Sequence, residues 1–289
     1  MSRKNNNPLR FGLSSGFYSE PFSENQAIEY YNAGVRFIEF SQPERRFSDD
    51  IDTKADDFRK AVNHANKYNI RFTSYHIPYG YDWDISALDE DKRIENLHRI
   101  LELAEVINSI QEPEIGFILH PSFEPIQDED REAHIEQAKK SIRYLADELE
   151  KINPNIVWAI ENLPRTCLAK NSLELLDIVS VDPRMKICFD TNHSLQEDNI
   201  NFLDAIKDRL VCLHISDYDK VNERHWAPGT GVIDWEAFNK KLAEIDFKGP
   251  LTFEVNEYCN GEDRGKITLS DLRQIYFDVL NGEWFFQYV

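Results

Sequence analysis

The sequence predicts a single (β/α)8 barrel, and three observations carry that expectation. Short apolar runs alternate with longer amphipathic segments from one end to the other. Eight such units fill 289 residues, near the ~250 typical of the closed barrel. The first run is followed by Ser14-Ser15-Gly16 rather than G-x-G-x-x-G, which counts against an open, doubly wound dinucleotide-binding sheet. Strands alternating with helices imply parallel pairing with the helices outside. Residues 1–289 read as one domain with a short polar tail at 1–8, and no linker interrupts it.

The units follow in order. Apolar runs at Leu9–Ser14 and Arg36–Phe40 flank a helical pattern at Asn25–Ala33. Ile70–Tyr75 follows a helix at Thr53–Tyr68, and Ile115–His120 follows one at Asp91–Ile107. The next helix, Asp130–Ile152, shows apolar spacings of three and four at Ile142, Leu145, Leu149 and Ile152. Ile156–Glu161 comes next, then a helix at Ser172–Val179 with Ser172, Glu174 and Asp177 at its start. Lys186–Asp190 and Leu210–His214 flank Asn201–Asp208. Asp234 caps Trp235–Ile245, and Leu251–Val255 and Leu269–Leu280 finish the pattern. Pro154, Pro183 and Pro250 stand shortly before strands, where each stops the preceding helix.

Composition narrows the function. The chain is 41% hydrophobic and 29% charged, which supplies ample material for a core. Its 52 acidic and 33 basic residues give a formal charge of -19, which repels phosphate backbones in the absence of a basic patch. Nucleic acid is therefore a disfavoured partner. Four cysteines form no C-x-x-C pair; Cys188 and Cys212 lie in apolar runs and read as buried thiols. No apolar h-region follows the polar N-terminus and no run reaches membrane-span length, so the chain reads as soluble and cytoplasmic.

The residues at the strand ends carry the chemistry. Glu39, His76, His120, Glu161, Asp190, His214 and Glu254 close seven apolar runs, and in a barrel those positions line the catalytic mouth. One buried carboxylate or imidazole alone reads as a paired structural side chain. Glu161, Asp190, His214 and Glu254 on four successive strands read as a metal site, because buried carboxylates are costly unless paired or bound to a cation. Three carboxylates and one imidazole suit Mn²⁺, Mg²⁺ or Co²⁺, with Zn²⁺ open if more imidazoles join. Glu39 reads equally as an arginine's partner or a ligand contact. His193 lies three residues after Asp190, within reach of the same pocket. His76 and His120 are open to three readings: ligands of a second metal, substrate-binding groups or plain strand ends. His64, His98 and His134 fall in helices, face solvent and take no role. The loop Asn222–Gly231 contains Glu223, Arg224 and His225 and can face the mouth.

These residues stand in motifs that resemble the xylose-isomerase-like barrel superfamily, in its sugar isomerase/epimerase branch. The motifs are Ile160-Glu161-Asn162, Phe189-Asp190-Thr191-Asn192-His193, Leu213-His214-Ile215-Ser216-Asp217, Pro228-Gly229-Thr230-Gly231 with Val232-Ile233-Asp234-Trp235, and Thr252-Phe253-Glu254. The resemblance implies a metal held by Glu161, Asp190, His214 and Glu254, with the two glutamates also moving protons. It implies that His193 contacts substrate. The superfamily also contains multi-zinc phosphoesterases of the endonuclease-IV type, whose further ligands correspond to His76, His120, His193 and His225. Glu223 stands where those enzymes have an aspartate.

The leading expectation is a metal-dependent isomerase or epimerase of a small sugar or related hydroxy-carbonyl compound. Glu161 and Glu254 act as ligands and proton carriers there, and Asp190 and His214 as ligands. His76, His120 and His193 bind substrate oxygens, and Arg224 or His225 closes the mouth. The alternatives are a multi-zinc phosphoesterase using His76, His120, His193, Glu223 and His225, and a barrel that binds a sugar without turning it over. The aromatic C-terminus Trp284–Val289 is expected to cover a barrel edge or an oligomer interface.

Overall fold

The computed structural model describes residues 10–113, 116–259 and 265–280. The polar tail at 1–8, Ile115 and the aromatic Trp284–Val289 segment lie outside the described residues. Eight parallel strands close in sequence order: β1 (Arg10–Ser14), β2 (Phe37–Phe40), β3 (Arg71–His76), β4 (Gly116–Leu119), β5 (Val157–Glu161), β6 (Lys186–Asp190), β7 (Leu210–Ile215) and β8 (Pro250–Phe253). Closure comes from Arg10↔Pro250 through Leu13↔Phe253, so the barrel has no free edge between β8 and β1.

Eight helices cover the outside: α1 (Glu24–Asn32), α2 (Ile51–Asn66), α3 (Glu90–Ile110), α4 (Arg131–Ile152), α5 (Ser172–Val179), α6 (Asn199–Ile206), α7 (Trp235–Glu244) and α8 (Leu269–Leu280). Among the described residues no helix is long and apolar enough to cross a membrane. Side-chain caps set many of the helix starts. A capping box joins Ser23 and Gln26 at α1, and the Asp234 carboxylate accepts the Ala237 amide at α7. At α5 the cap is Asn171, whose side chain accepts the Glu174 amide, and Ser172 is the first helical residue. The sequence reading placed that cap one residue late, because either polar side chain suits the position.

Two separate apolar bodies follow from the two-residue period of a strand. The large one lies between sheet and helices and includes Leu119, Ile160, Phe189, Leu213 and Phe253. The small one, Ile118, Ala159, Cys188 and Cys212, is a cluster of its own. Its last three members stand two residues before Glu161, Asp190 and His214, and Ile118 stands two before His120. The same strand faces therefore supply a small apolar layer and, one pleat higher, the polar residues above it. All four cysteines are buried and free.

Two histidine placements differ from the sequence reading. His134 is half-buried, with Nδ1 donating to the Ser86 carbonyl at 2.8 Å, because the segment before α3 folds against α4. His64 is likewise half-buried, and only His98 is exposed.

Candidate functional site

The polar strand ends converge at the C-terminal mouth. Glu161 and Asp190 are the last residues of β5 and β6, and His214 is the penultimate residue of β7. β8 ends two residues short of the predicted bound, so Glu254 is the first residue beyond it, with its amide still donating to the Ile215 carbonyl at 3.2 Å. β4 likewise ends at Leu119, leaving His120 just past the strand. Glu161, Asp190 and His214 are fully buried.

Glu161, Asp190, His214 and Glu254 each offer one ligand atom, all within 4.8 Å of one another. His214 Nδ1 lies 3.1 Å from Glu161 Oε1 and 3.2 Å from Glu254 Oε2. Asp190 Oδ1 accepts the Asn192 amide at 2.6 Å, while Asp190 Oδ2 and Glu254 Oε2 are buried without a hydrogen-bond partner. Three carboxylates this close, two with an unsatisfied oxygen, are what a hard divalent cation requires and what a site without one avoids. The donor set fits such an ion.

The electrostatics of the protein groups point the same way. Burial, reinforced by the charges of Glu254 and Glu161, pushes the Asp190 carboxyl well above its ordinary range despite nearby His193. Burial also acts upward on Glu161, but His214 and hydrogen bonds from His120 and His193 overcome it and hold that carboxyl well below its ordinary value. The same contest at Glu254, decided by His214, also ends low.

Hydrogen bonds fix the surrounding imidazoles. His76 Nδ1 donates to the Ile77 carbonyl at 2.8 Å, which turns Nε2 toward Glu161 Oε2 at 3.1 Å. His120 Nε2 approaches the same oxygen at 3.3 Å. These two histidines and Glu161 form a second group of ligand-capable atoms. His193 Nδ1 donates to the Asn162 carbonyl at 2.8 Å, and its Nε2 lies 3.9 Å from Glu223 Oε1. Among the described residues no arginine pairs with Glu39. Its Oε2 accepts the Ser74 hydroxyl at 2.7 Å, and its Oε1 lies 2.9 Å from His214 Nε2. The latter two atoms are close but out of line for a full hydrogen bond.

Buried amides and one aspartate hold the loops. The Asn162 side chain grips the Asp190 backbone from both sides, at 2.7 and 3.0 Å. Asn192 Oδ1 accepts the amides of Arg224 and His225, which draws the loop after β7 toward the mouth. Asp217 accepts from Tyr218, Gly229, Ile233 and the Trp235 indole, so one carboxylate organises the Pro228–Gly231 turn. A Cβ at Gly231 would fall 2.3 Å from Asp217 Oδ1, which explains the glycine there.

Above the cluster opens a cavity of about 850 Å³ lined by His76, His120, His193, Glu223 and His225, among others. Arg224 is not in its wall, because Asp219 Oδ2 engages its guanidinium at 2.7 Å. Arg165 takes a place at the mouth that the sequence reading left empty. It bridges Glu124 Oε1 at 2.6 Å and Glu223 Oε2 at 2.5 Å, tying the loops after β4, β5 and β7 together. Tyr79, stacked on His120 at 4.7 Å, was also missed. Both lie in loops, where no periodicity marks a side chain's direction.

Comparison with known proteins matches residues 29–275 to the family described as the xylose isomerase-like TIM barrel. The chain is 24% identical over 240 residues to the uncharacterized protein MJ1614 of Methanocaldococcus jannaschii, covering 82% of this chain and 89% of that one. A 71-residue stretch is 31% identical to the uncharacterized protein y4fM of Sinorhizobium fredii, spanning 24% of this chain and only 23% of that protein. Among solved structures, a D-tagatose 3-epimerase-like protein superposes with a TM-score of 0.76 at 18% identity, over 95% of this chain and 99% of the other. The 3-keto-D-glucoside 4-epimerase YcjR of E. coli does so with a TM-score of 0.70 at 18% identity, over 93% and 97%. At these identities the structural likeness speaks for the fold.

Proposed function

We propose, from the premise that this chain belongs to the xylose isomerase-like TIM barrel family, that it is a metal-dependent isomerase or epimerase of a small sugar or related hydroxy-carbonyl compound. The observation that carries the reading is the cluster of Glu161, Asp190, His214 and Glu254, with ligand atoms within 4.8 Å, at the floor of an open cavity. The names of the superposing epimerase and epimerase-like protein agree with it.

Those four residues would hold the ion. When bound, it supplies polarisation of a carbonyl and a neighbouring hydroxyl oxygen, which acidifies the C–H between them. The chain's own groups do the rest. Glu161 and Glu254 both approach His214 Nδ1, at 3.1 and 3.2 Å, and both are held as carboxylates, so either can accept a proton. Inversion uses one of them as the carboxylate that takes the proton from carbon and the other, protonated from solvent beforehand, as the acid that gives its proton to the opposite face and is left as the carboxylate. Return by a single carboxylate to the adjoining carbon gives isomerisation instead. His193, with Nδ1 committed to the Asn162 carbonyl, keeps Nε2 for a substrate oxygen. His76, His120 and His225 offer further contacts in the same wall.

The test is elemental analysis of the purified protein, followed by a ketose screen in D2O with added Mn²⁺. About one equivalent of metal per chain and deuterium entering a ketose would support the reading. Stable sugar binding with no exchange would instead mark a non-catalytic binding barrel.

One observation favours a second reading, a multi-zinc phosphoesterase: His76, His120 and Glu161 form a second ligand-capable group that shares Glu161 with the first. Against it, Glu223 is already engaged by Arg165, and the chain's charge of -19 opposes a nucleic-acid substrate. Two or three zinc equivalents together with nicking of abasic duplex would establish it over the first.

A further inference from the structure

The cavity is larger than a single ketose needs. Its volume of about 850 Å³ lies in the upper part of the ~300–1,000 Å³ range of pockets that bury drug-sized ligands. Among the described residues its wall carries six carboxylates, Glu44, Glu124, Glu161, Glu223, Glu254 and Glu257, against the guanidinium groups of Arg45 and Arg165. Neither guanidinium is spare. Arg165 is held between Glu124 and Glu223, and Arg45 reaches out to Glu20 Oε2 at 2.9 Å and the Ser19 carbonyl. A divalent ion at the floor would leave the wall acidic. A phosphate ester entering here would lose water in a negative field with neither guanidinium free to receive it.

The wall also has a continuous aromatic strip. It begins at the floor with His120, whose Nε2 lies 3.3 Å from Glu161 Oε2. Tyr79 stacks on His120 with centroids 4.7 Å apart and planes 13° from parallel. Phe47 meets Tyr79 edge-on at 4.7 Å. Tyr79 and Phe47 both line the cavity beyond the reacting floor, beside Glu44, which accepts the Tyr79 hydroxyl. Apolar ring faces beside carboxylate acceptors suit a sugar ring, whose C–H faces pack on the aromatics while its hydroxyls donate to the acids.

We infer that the substrate is an uncharged glycoside: the reacting sugar sits on the carboxylate floor, and a second neutral ring lies against Tyr79 and Phe47. The inference rests on the isomerase or epimerase reading for the identity of the floor and extends it to the outer wall.

Three matched ligands test it on Mn²⁺-loaded protein by calorimetry: D-fructose, D-fructose 6-phosphate, and the disaccharide isomaltulose, which bears a neutral glucosyl ring on the oxygen that is phosphorylated in the ester. The expected order is isomaltulose tightest, about tenfold below D-fructose in Kd, equivalent to ~1.4 kcal/mol, with the phosphate ester weakest. In Phe47→Ala, a change at a half-buried side chain, the ratio of the two neutral Kd values falls toward one. Tighter binding of the phosphate ester than of D-fructose overturns the inference. So does an isomaltulose advantage that is absent or survives Phe47→Ala, or a failure of all three sugars to bind. Deuterium uptake from D2O is followed in the same samples. The expected binding order without exchange overturns the catalytic reading and leaves the ligand class standing.

Discussion

Glu39 Oε1 and His214 Nε2 approach to 2.9 Å inside the barrel, while the other nitrogen of the same imidazole faces Glu161 and Glu254. A carboxylate behind a ligand-capable histidine favours the tautomer protonated on the far nitrogen and leaves the near lone pair free. Glu39→Gln keeps the shape and an acceptor for the Ser74 hydroxyl but removes the charge. Mn²⁺ affinity is expected to fall about 10–100-fold, as read by competition with a fluorescent chelator. Unchanged affinity would show that Glu39 does not act through His214.

Glu161→Gln and Glu254→Gln should each lower turnover by about 10²–10⁴-fold, the usual contribution of a positioned acid or base. Metal content has to be measured alongside, since both residues belong to the ligand-capable cluster. Reconstituted variants that keep full solvent-hydrogen exchange would remove both glutamates from the chemistry.

Asp190 separates stability from binding. Its carboxyl is held well above its ordinary range by burial and by Glu254 and Glu161, so in metal-free protein it is a liability. Asp190→Asn should raise the Tm of chelator-treated protein while abolishing the gain given by Mn²⁺. For the wild type that gain corresponds to about 2.7 kcal/mol at a free metal concentration of 100 Kd. Thermal unfolding with and without chelator checks both halves, and a variant that keeps the metal-induced shift would refute the assignment.

Lys54 gives a pH signature remote from the mouth. It is buried on α2, with Nζ donating to the Arg46 carbonyl at 2.5 Å and lying 5.7 Å from the Trp83 ring centroid. Burial outweighs the attraction of Asp49 and lowers its pKa to about 8, from the ordinary lysine value of 10.5. Between those values the unfolded chain binds more protons than the folded one, so stability rises with pH. Relative to Lys54→Met, the wild type should therefore gain stability from pH 8 to 10.5 and show a flat difference below pH 8. Denaturant unfolding across that range reads the slope, and a falling difference would contradict the buried-cation account.

Gly231→Ala tests the loop that brings His225 to the mouth. The added methyl would press on Asp217 Oδ1 and the Tyr218 carbonyl, both 2.3 Å from its ideal position. The cost expected is about 1–3 kcal/mol of stability. Because Asp217 organises the turn, a raised KM should accompany it. A KM left at the wild-type value would show that the turn and the mouth are uncoupled.

Fold and floor were legible in the sequence for the same reason. A strand alternates its faces, so Ile160 must point to the helices if Glu161 points inward, and a carboxylate closing an apolar run stands out. Each of Glu161, Asp190, His214 and Glu254 could be located that way from its own strand. The mouth was not legible. Arg165 acts by joining Glu124 and Glu223, 41 residues before it and 58 after it by number, from loops whose paths no local pattern encodes. Arg224 was expected to face the cavity, but Asp219, five residues earlier, competes for it at short range. Glu39 was visible as a polar strand end, yet its partner on β7 emerges only once the barrel closes.

The separation of the strand ends has a consequence for assembly. Glu161, Asp190, His214 and Glu254 all come from the second half of the chain, whereas Glu39 and His76 come from the first. The contacts Glu39–His214 and His76–Glu161 therefore span the lumen from one half-barrel to the other. A half-barrel could gather the four ligand-capable groups without the side chains that orient them. If the cluster holds an ion as proposed, tight capture would report the join between halves, since the contacts that orient the ligands need β1–β4 docked onto β5–β8.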